Sequence, residues 1–164
     1  MKPSFFIAQE TDLPEIVRIY NQTVYTRQST ADLEPVSVDD RREWFFQHNE
    51  DRRPLWIIKL GDNIVGWISL TDFYGRIAYS KTAEVSIYID ENYRGRQLGV
   101  KALDFVESCV KDFNIETVLA FIFGHNLPSI SLFKKFGYVS WAHLPEVAEM
   151  DGIKRDLVIL GKKY

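Results

Sequence analysis

A single cysteine, Cys109, is all that 164 residues contain, so no internal disulfide framework can hold this chain and a packed core must do so. Long apolar runs are also missing. No stretch approaches the roughly 18–20 residues that span a bilayer. The N-terminal MKPSFFIAQETD has an apolar patch too short for a secretory leader and no small-residue cleavage site. Cations are not in excess: 20 Lys and Arg face 23 Asp and Glu, for a net charge of −3. A general nucleic-acid binder normally carries a basic face, so neither nucleic acid nor membrane is expected as a partner. Histidine is scarce. His48, His125 and His143 lie far apart without metal-ligand spacing, and no metal site is expected. Together these shortages point to a cytoplasmic protein.

What is present is ordinary for a globular domain: 46% apolar residues, 26% charged, and 14% aromatic with 4 Trp. One domain over 1–164 is expected, large enough to bury its own core. SFFIAQ reads as a strand. Thr11 is an N-cap candidate ahead of Pro14, and Leu13, Ile16, Val17, Tyr20 and Val24 follow at helical spacing. Ser37 and Asp40 form a capping-box-like pair before RREWFFQH. LWIIKL, a Gly61-Asp62-Asn63 turn and IVGWISL predict a hairpin. After the loop DFYGRIAY comes the strand KTAEVSIYID. Leu103, Val106, Val110 and Phe113 mark a long helix, and TVLAFIF is a buried strand. Asn126 opens a helix running through Phe136, with Gly137 as its stop. A strand around YVSWAHL, a loop, and the strand IKRDLVILGKK close the chain. The order is βααβββαβαββ, a mixed α/β (α+β) domain with helices packed on a sheet.

Three segments carry chemistry. In YRGRQLGVKAL, Gly95 and Gly99 allow close backbone approach, a helix N-terminus follows, and Arg94, Arg96 and Lys101 supply cations. This suits a pyrophosphate, although a solvated turn accounts for the same residues. It is neither a Walker loop nor GxGxxG. In TAEVSIYID, alternation puts Glu84, Ser86 and Tyr88 on one face and Val85, Ile87 and Ile89 on the other. A carboxylate within a strand is costly to bury, so Glu84 is a candidate general base; a salt bridge to Arg76 or an edge-strand charge is the alternative. In NLPSISLFKKFGY, Asn126 is explained by capping alone, and Lys134 and Lys135 by a solvated helix face. Cys109 falls near the apolar stripe of its helix, where a thiol is structural and inert.

In this order the three segments resemble the GNAT superfamily of acetyl-CoA-dependent N-acetyltransferases. The early segments IVRIYNQTV and STADLEPVSVDDRREWF, with GRIAYSKTAEVSIYI, are similar to its phosphinothricin and methionine sulfoximine acetyltransferase branch. The resemblance implies a mostly antiparallel twisted sheet, splayed at the acetyl-CoA site. It implies that Ile87, Tyr88 and Ile89 pair with the pantetheine arm. The pyrophosphate would meet Arg94, Gly95, Arg96, Gln97, Leu98, Gly99 and Val100. Asn126 and Ser129 would flank the pantetheine, and Glu84 would deprotonate a small-molecule amine. A strand N–H would stabilise the developing oxyanion. Arg76 is the candidate clamp for a substrate carboxylate. A homodimer is expected from the branch.

Two positions depart from the family pattern. Gln97 stands where the loop's first glycine belongs, and its amide stays available to phosphate if its φ is helical. Phe133 stands where many members carry a Tyr and the branch a His, so Tyr138, water, or no acid at all must serve the departing thiolate. The alternatives are acetylation of a polyamine or a protein N-terminus, for which STADLEPVSVDD offers acids, and a non-catalytic acyl-CoA-binding regulatory module.

Overall fold

The computed structural model describes residues 1–164. Its elements follow the expected order: β1 (Ser4–Ile7), α1 (Leu13–Val24), α2 (Arg42–Phe46), β2 (Leu55–Leu60), β3 (Asn63–Asp72), β4 (Thr82–Ile89), α3 (Leu98–Cys109), β5 (Thr117–Phe123), α4 (Leu127–Lys135), β6 (Val139–Met150) and β7 (Ile153–Lys163). The strands form one sheet in the order β1-β2-β3-β4-β5-β7-β6. Every neighbouring pair is antiparallel except β4 with β5.

Local chemistry explains most boundaries, with three corrections. Thr11 does not cap α1. It lies inside a short 3₁₀ turn over Glu10–Asp12, and the Asp12 carboxylate accepts the Gln9 N–H at 2.8 Å. Asp12 stands at the N-cap of α1 instead, and its carboxylate is turned back to Gln9 rather than onto the first amides of the helix. The loop expected after YVSWAHL is strand: β6 continues to Met150, irregular between Leu144 and Ala148, and turns tightly at Asp151 and Gly152 into β7. The last helix stops at Lys135, with Gly137 at φ 89°. The Ser37–Asp40 pair closes reciprocally as expected, each backbone N–H donating to the other side chain at 2.9 and 3.0 Å.

Alternation along the strands gives the sheet two apolar faces. On one, Trp56, Ile58, Ile68, Leu70 and Val85 pack against Leu98, Ala102, Leu103 and Val106 of α3 and Phe133 of α4. On the other, Leu55, Ile57 and Trp67 pack against Leu13, Ile16, Val17, Tyr20 and Val24 of α1, with Trp44 and Phe45 of α2 alongside.

The functional consequence lies at the centre of the sheet. β4 and β5 share only three rungs, Thr82 to Thr117, Ala83 to Val118 and Glu84 to Leu119. Beyond them β4 stays with β3 as far as Gly66 and Ile89, and β5 stays with β7 as far as Phe123 and Leu157. Each strand follows its own antiparallel neighbour, and a wedge opens between them.

Gly66 sets how closely β3 lies on β4. A Cβ there would sit 2.7 Å from the Tyr88 carbonyl oxygen and 3.0 Å from the Ile89 side chain. Gly66→Ala is expected to cost about 2 kcal/mol through overpacking, seen as a lower urea midpoint at unchanged slope.

Candidate active site

The wedge is a cavity of about 450 Å³. One wall is Glu84 to Tyr88 of β4, the other Ala120 to Phe123 of β5, with Asn126, Ser129 and Phe133 closing one end. The β4 backbone from Val85 to Ile89 has no partner strand on that side. Polar groups left this way need an extended ligand or water to satisfy them. Residues 28–31, between α1 and α2, form a strap across the opening. The strap is tied down on several sides. Tyr88 Oη donates to the Ser29 carbonyl at 2.8 Å, Asn126 Nδ2 to that of Gln28 at 3.2 Å, and His125 Nε2 lies 2.7 Å from that of Arg27. Arg27 also pairs with Asp151 at 2.9 Å.

Glu84 stands at the apex, where the strands part. It also lines a second cavity of about 330 Å³ on the α1/α2 face, shared with Arg41, Trp44, Gln47, Trp67, Ser69 and Thr71. Register explains this floor: Thr71 lies opposite Glu84, Ser69 opposite Ser86, and Trp67 opposite Tyr88. No hydrogen bond or ion pair from the protein reaches the Glu84 carboxylate. Burial alone pushes its pKa above the usual carboxylate range, which suits a proton acceptor near neutral pH. Arg41 is the cation of this pocket. It sits 4.4 Å over the Tyr20 ring and pairs with Asp32 at 3.1 Å. The Tyr20 hydroxyl bonds to Thr30 and Asp32 in turn.

At the open end of the wedge the chain turns through a short 3₁₀ segment, Glu91–Tyr93, into the Arg94–Val100 stretch and α3. The amides of all seven residues from Arg94 to Val100 donate to no protein acceptor; the first to do so is Lys101, to the Gln97 carbonyl. Seven free N–H groups at a helix N-terminus, with exposed Arg94 and Arg96 beside them, make a seat for an anion. Gln97 is not right-handed: φ 59° and ψ 26° put it in the left-handed region that glycine takes without cost. The fold keeps the loop's shape and leaves strain in place of the missing glycine. Gly99 has a packing reason of its own, since a Cβ there would lie 3.1 Å from Leu132 of α4.

The other expected residues divide clearly. Ile87, Tyr88, Asn126 and Ser129 line the wedge. Ile89 does not; it packs toward the α3 core. Asn126 Oδ1 caps α4 through the Ser129 N–H at 3.4 Å, and its amide holds the strap. Tyr138 is not brought to the wedge. It is 1% exposed behind Phe133, its hydroxyl 3.2 Å from that of Tyr164. Arg76 is exposed, lines neither cavity and makes no pair with Glu84. Cys109 is a half-buried thiol donating to the Phe105 carbonyl, with burial pushing its pKa up to about 11. No group of three or more His, Cys, Asp or Glu side chains is placed to hold a metal, and no helix is long and apolar enough to cross a membrane. The sequence reading missed Arg41, Trp44, Ser69 and His48. Arg41, Trp44 and His48 left a trace only in the helical pattern of RREWFFQH, which gives a face but not what it faces, and Ser69 only in the strand IVGWISL.

A strand–loop–helix anion seat beside a splayed sheet, with a lone carboxylate at the apex, defines an acyl-CoA-dependent transferase fold. Residues 14–138 match the Acetyltransferase (GNAT) family, and the chain belongs to it. It is an acetyl-CoA-dependent N-acetyltransferase of the phosphinothricin acetyltransferase-like branch. It is 48% identical over 158 residues, 96% of both chains, to the phosphinothricin acetyltransferase-like protein YwnH of Bacillus subtilis. Identity is 26% over 161 residues, 98% of this chain and 94% of the relative, to the L-methionine sulfoximine/L-methionine sulfone acetyltransferase of Pseudomonas aeruginosa. A crystal structure of a phosphinothricin N-acetyltransferase-like protein matches with a TM-score of 0.95 at 47% identity, covering 99% of this chain and 98% of that one.

Gln97→Gly is expected to raise stability by about 1 kcal/mol through relief of left-handed strain. Thermal unfolding of the two proteins, with and without acetyl-CoA, checks this.

Proposed function

We propose that the chain, acting as one unit over residues 1–164, transfers acetyl from acetyl-CoA to the primary amine of a small amino-acid-like substrate. Both reactants are held at once, with no acyl-protein intermediate. One observation carries this reading: Glu84, which with Ser86 and Tyr88 lines both the wedge and the second cavity, is the only carboxylate where the two meet. When bound, acetyl-CoA supplies the activated acetyl group as a thioester. Its pyrophosphate fits the seven free amides of Arg94–Val100, and its pantetheine fits the unpartnered β4 edge at Ile87 and Tyr88, with Asn126 and Ser129 beside it. The amine then enters from the α1/α2 face.

An ammonium cannot attack a thioester until it loses a proton. Glu84, desolvated and unpaired, accepts that proton directly or through water. A β4 amide on the open edge donates to the developing oxyanion. Holding both reactants at one apex removes much of the entropic barrier. Phe133 offers no proton at the end of the wedge and Tyr138 is turned away, so returning a proton to sulfur is left to water. Arg41, across the pocket from Glu84 in sequence and in sign, takes the role of carboxylate clamp first assigned to Arg76. Asp32 takes one guanidinium nitrogen of Arg41, and the remaining donors of a fork stacked over the Tyr20 ring are left to meet a small carboxylate.

The polyamine alternative is weakened by the ion pairs of the acidic segment: Asp32 is held by Arg41 and Asp39 by Arg42. A purely regulatory acyl-CoA binder gives no role to Glu84. A homodimer is supported by the exposed apolar surface at Tyr74, Ile77 and Tyr79.

Thiol release from acetyl-CoA should be seen with methionine sulfone, methionine sulfoximine or phosphinothricin, and not with spermidine or a short peptide. Glu84→Gln should lower kcat/KM by about 10²- to 10⁴-fold, while full activity in this variant would remove Glu84 from its role. Because the folded pKa of Glu84 is raised, its ionised form costs stability at neutral pH. The same variant is therefore expected to melt higher than wild type. Activity should fall as pH drops through a value above the usual carboxylate range. Arg41→Gln should raise KM for the amino acid about tenfold, leaving KM for acetyl-CoA unchanged.

A further inference from the structure

Ser69 is 2% exposed on the floor of the second cavity, diagonal to Glu84 on the same face of the sheet. Its hydroxyl has one protein partner, His48 Nε2, at 2.7 Å. The other ring nitrogen of His48, Nδ1, lies 2.9 Å from the Trp44 carbonyl oxygen. A carbonyl only accepts, so Nδ1 carries the proton. In the neutral ring Nε2 is then a bare lone pair, and the Ser69 O–H must donate to it. The hydroxyl proton is thereby committed away from the cavity. What Ser69 offers to the cavity is an acceptor, on the same floor as a carboxylate and in a pocket whose other charge is a cation.

We infer that His48 is a positioning residue for the acceptor amine: through Ser69 it fixes a second hydrogen-bond acceptor beside Glu84, so that the pocket binds an ammonium by two of its N–H groups. This rests on the acetyltransferase reading of the second cavity. Two acceptors fix two of the three N–H directions of a primary ammonium, and with them the orientation of the nitrogen in the pocket.

The device has a pH dependence. The groups around His48 are the Trp44 and Phe45 carbonyls at the end of α2, Ser69 on β3, and the carboxylates of Glu10 and Glu50 in the hollow on the outer side. Arg41 and Glu84 are the charges on the cavity side. Burial holds the imidazole neutral to lower pH than a free histidine. Protonation puts a hydrogen on Nε2, forces Ser69 to accept it, and turns the Ser69 hydroxyl proton into the cavity against the ammonium. Amine binding should then weaken on the acid side, independently of the loss of turnover caused by Glu84.

The test is steady-state kinetics of wild type, His48→Phe, His48→Gln and Ser69→Ala, with methionine sulfone varied against saturating acetyl-CoA from pH 5 to pH 8. His48→Phe and Ser69→Ala should each raise KM for the amine about tenfold at pH 7.5. The double variant should be no worse than either single one, and KM for acetyl-CoA should stay at the wild-type value. His48→Gln can accept from Ser69 and donate to Trp44, so it should restore KM and abolish its rise at acid pH. An unchanged amine KM in a folded His48→Phe protein overturns the inference, as does an equal rise in KM for acetyl-CoA. Wild type that acetylates none of the amino-acid analogues overturns the proposed acceptor class itself, and the role of His48 falls with it.

Discussion

The parting of β4 and β5 after three rungs governs the rest of this molecule. Continued pairing would fill the backbone groups of both strands with each other. Instead each strand keeps its antiparallel partner, and the edges facing the wedge are left free. Those edges are expensive to leave bare in a protein interior, and the wall they make is the surface on which an extended cofactor arm can complete the sheet. The same divergence sends α3 and α4 off from one end of the wedge, so the free amides of Arg94–Val100 and the Asn126 cap gather at its mouth.

A second cost is accepted at the apex. Glu84 is half-buried without a partner, where an ion pair would have been the stable solution. The neighbouring charges show that pairing was open to this fold. Arg41 has Asp32, Arg27 has Asp151, and Arg18 has Asp90 at 2.8 Å. Among the carboxylates withdrawn from solvent, Glu84 alone is left without a partner, and burial raises its pKa. The left-handed Gln97 is a smaller strain of the same kind, held because the loop must keep its amides outward.

The structure changes the meaning of several residues without changing their position on a strand or helix. Asn126 and Tyr88, both expected at the cofactor, also hold the strap that closes the wedge. Gly99 serves the contact of α3 with α4 as much as any approach by phosphate. Tyr138 was a reasonable substitute acid on sequence grounds, yet its hydroxyl joins Tyr164 and so the Glu107–Lys162 cluster, beyond Phe133. A residue only five positions from Phe133 faces elsewhere because the helix ends at Lys135 and the chain turns at Gly137 between them.

The sequence alone determined the element order, the helix caps at Ser37 and Asn126, the glycine-bearing turn into α3, and the place of Glu84 on the same strand face as Ser86 and Tyr88. Each depends on a short window in which periodicity, capping chemistry or strand alternation acts between near neighbours. Arg41, Trp44, His48 and Ser69 were out of reach of such reasoning. Arg41 and His48 flank α2, Trp44 lies on it and Ser69 lies on β3, and they meet because Trp44 packs edge-on against Trp67, with ring centroids 5.4 Å apart. Which face of a five-residue helix docks on the sheet, and which hydroxyl its histidine then meets, is fixed by tertiary packing; no local pattern encodes it.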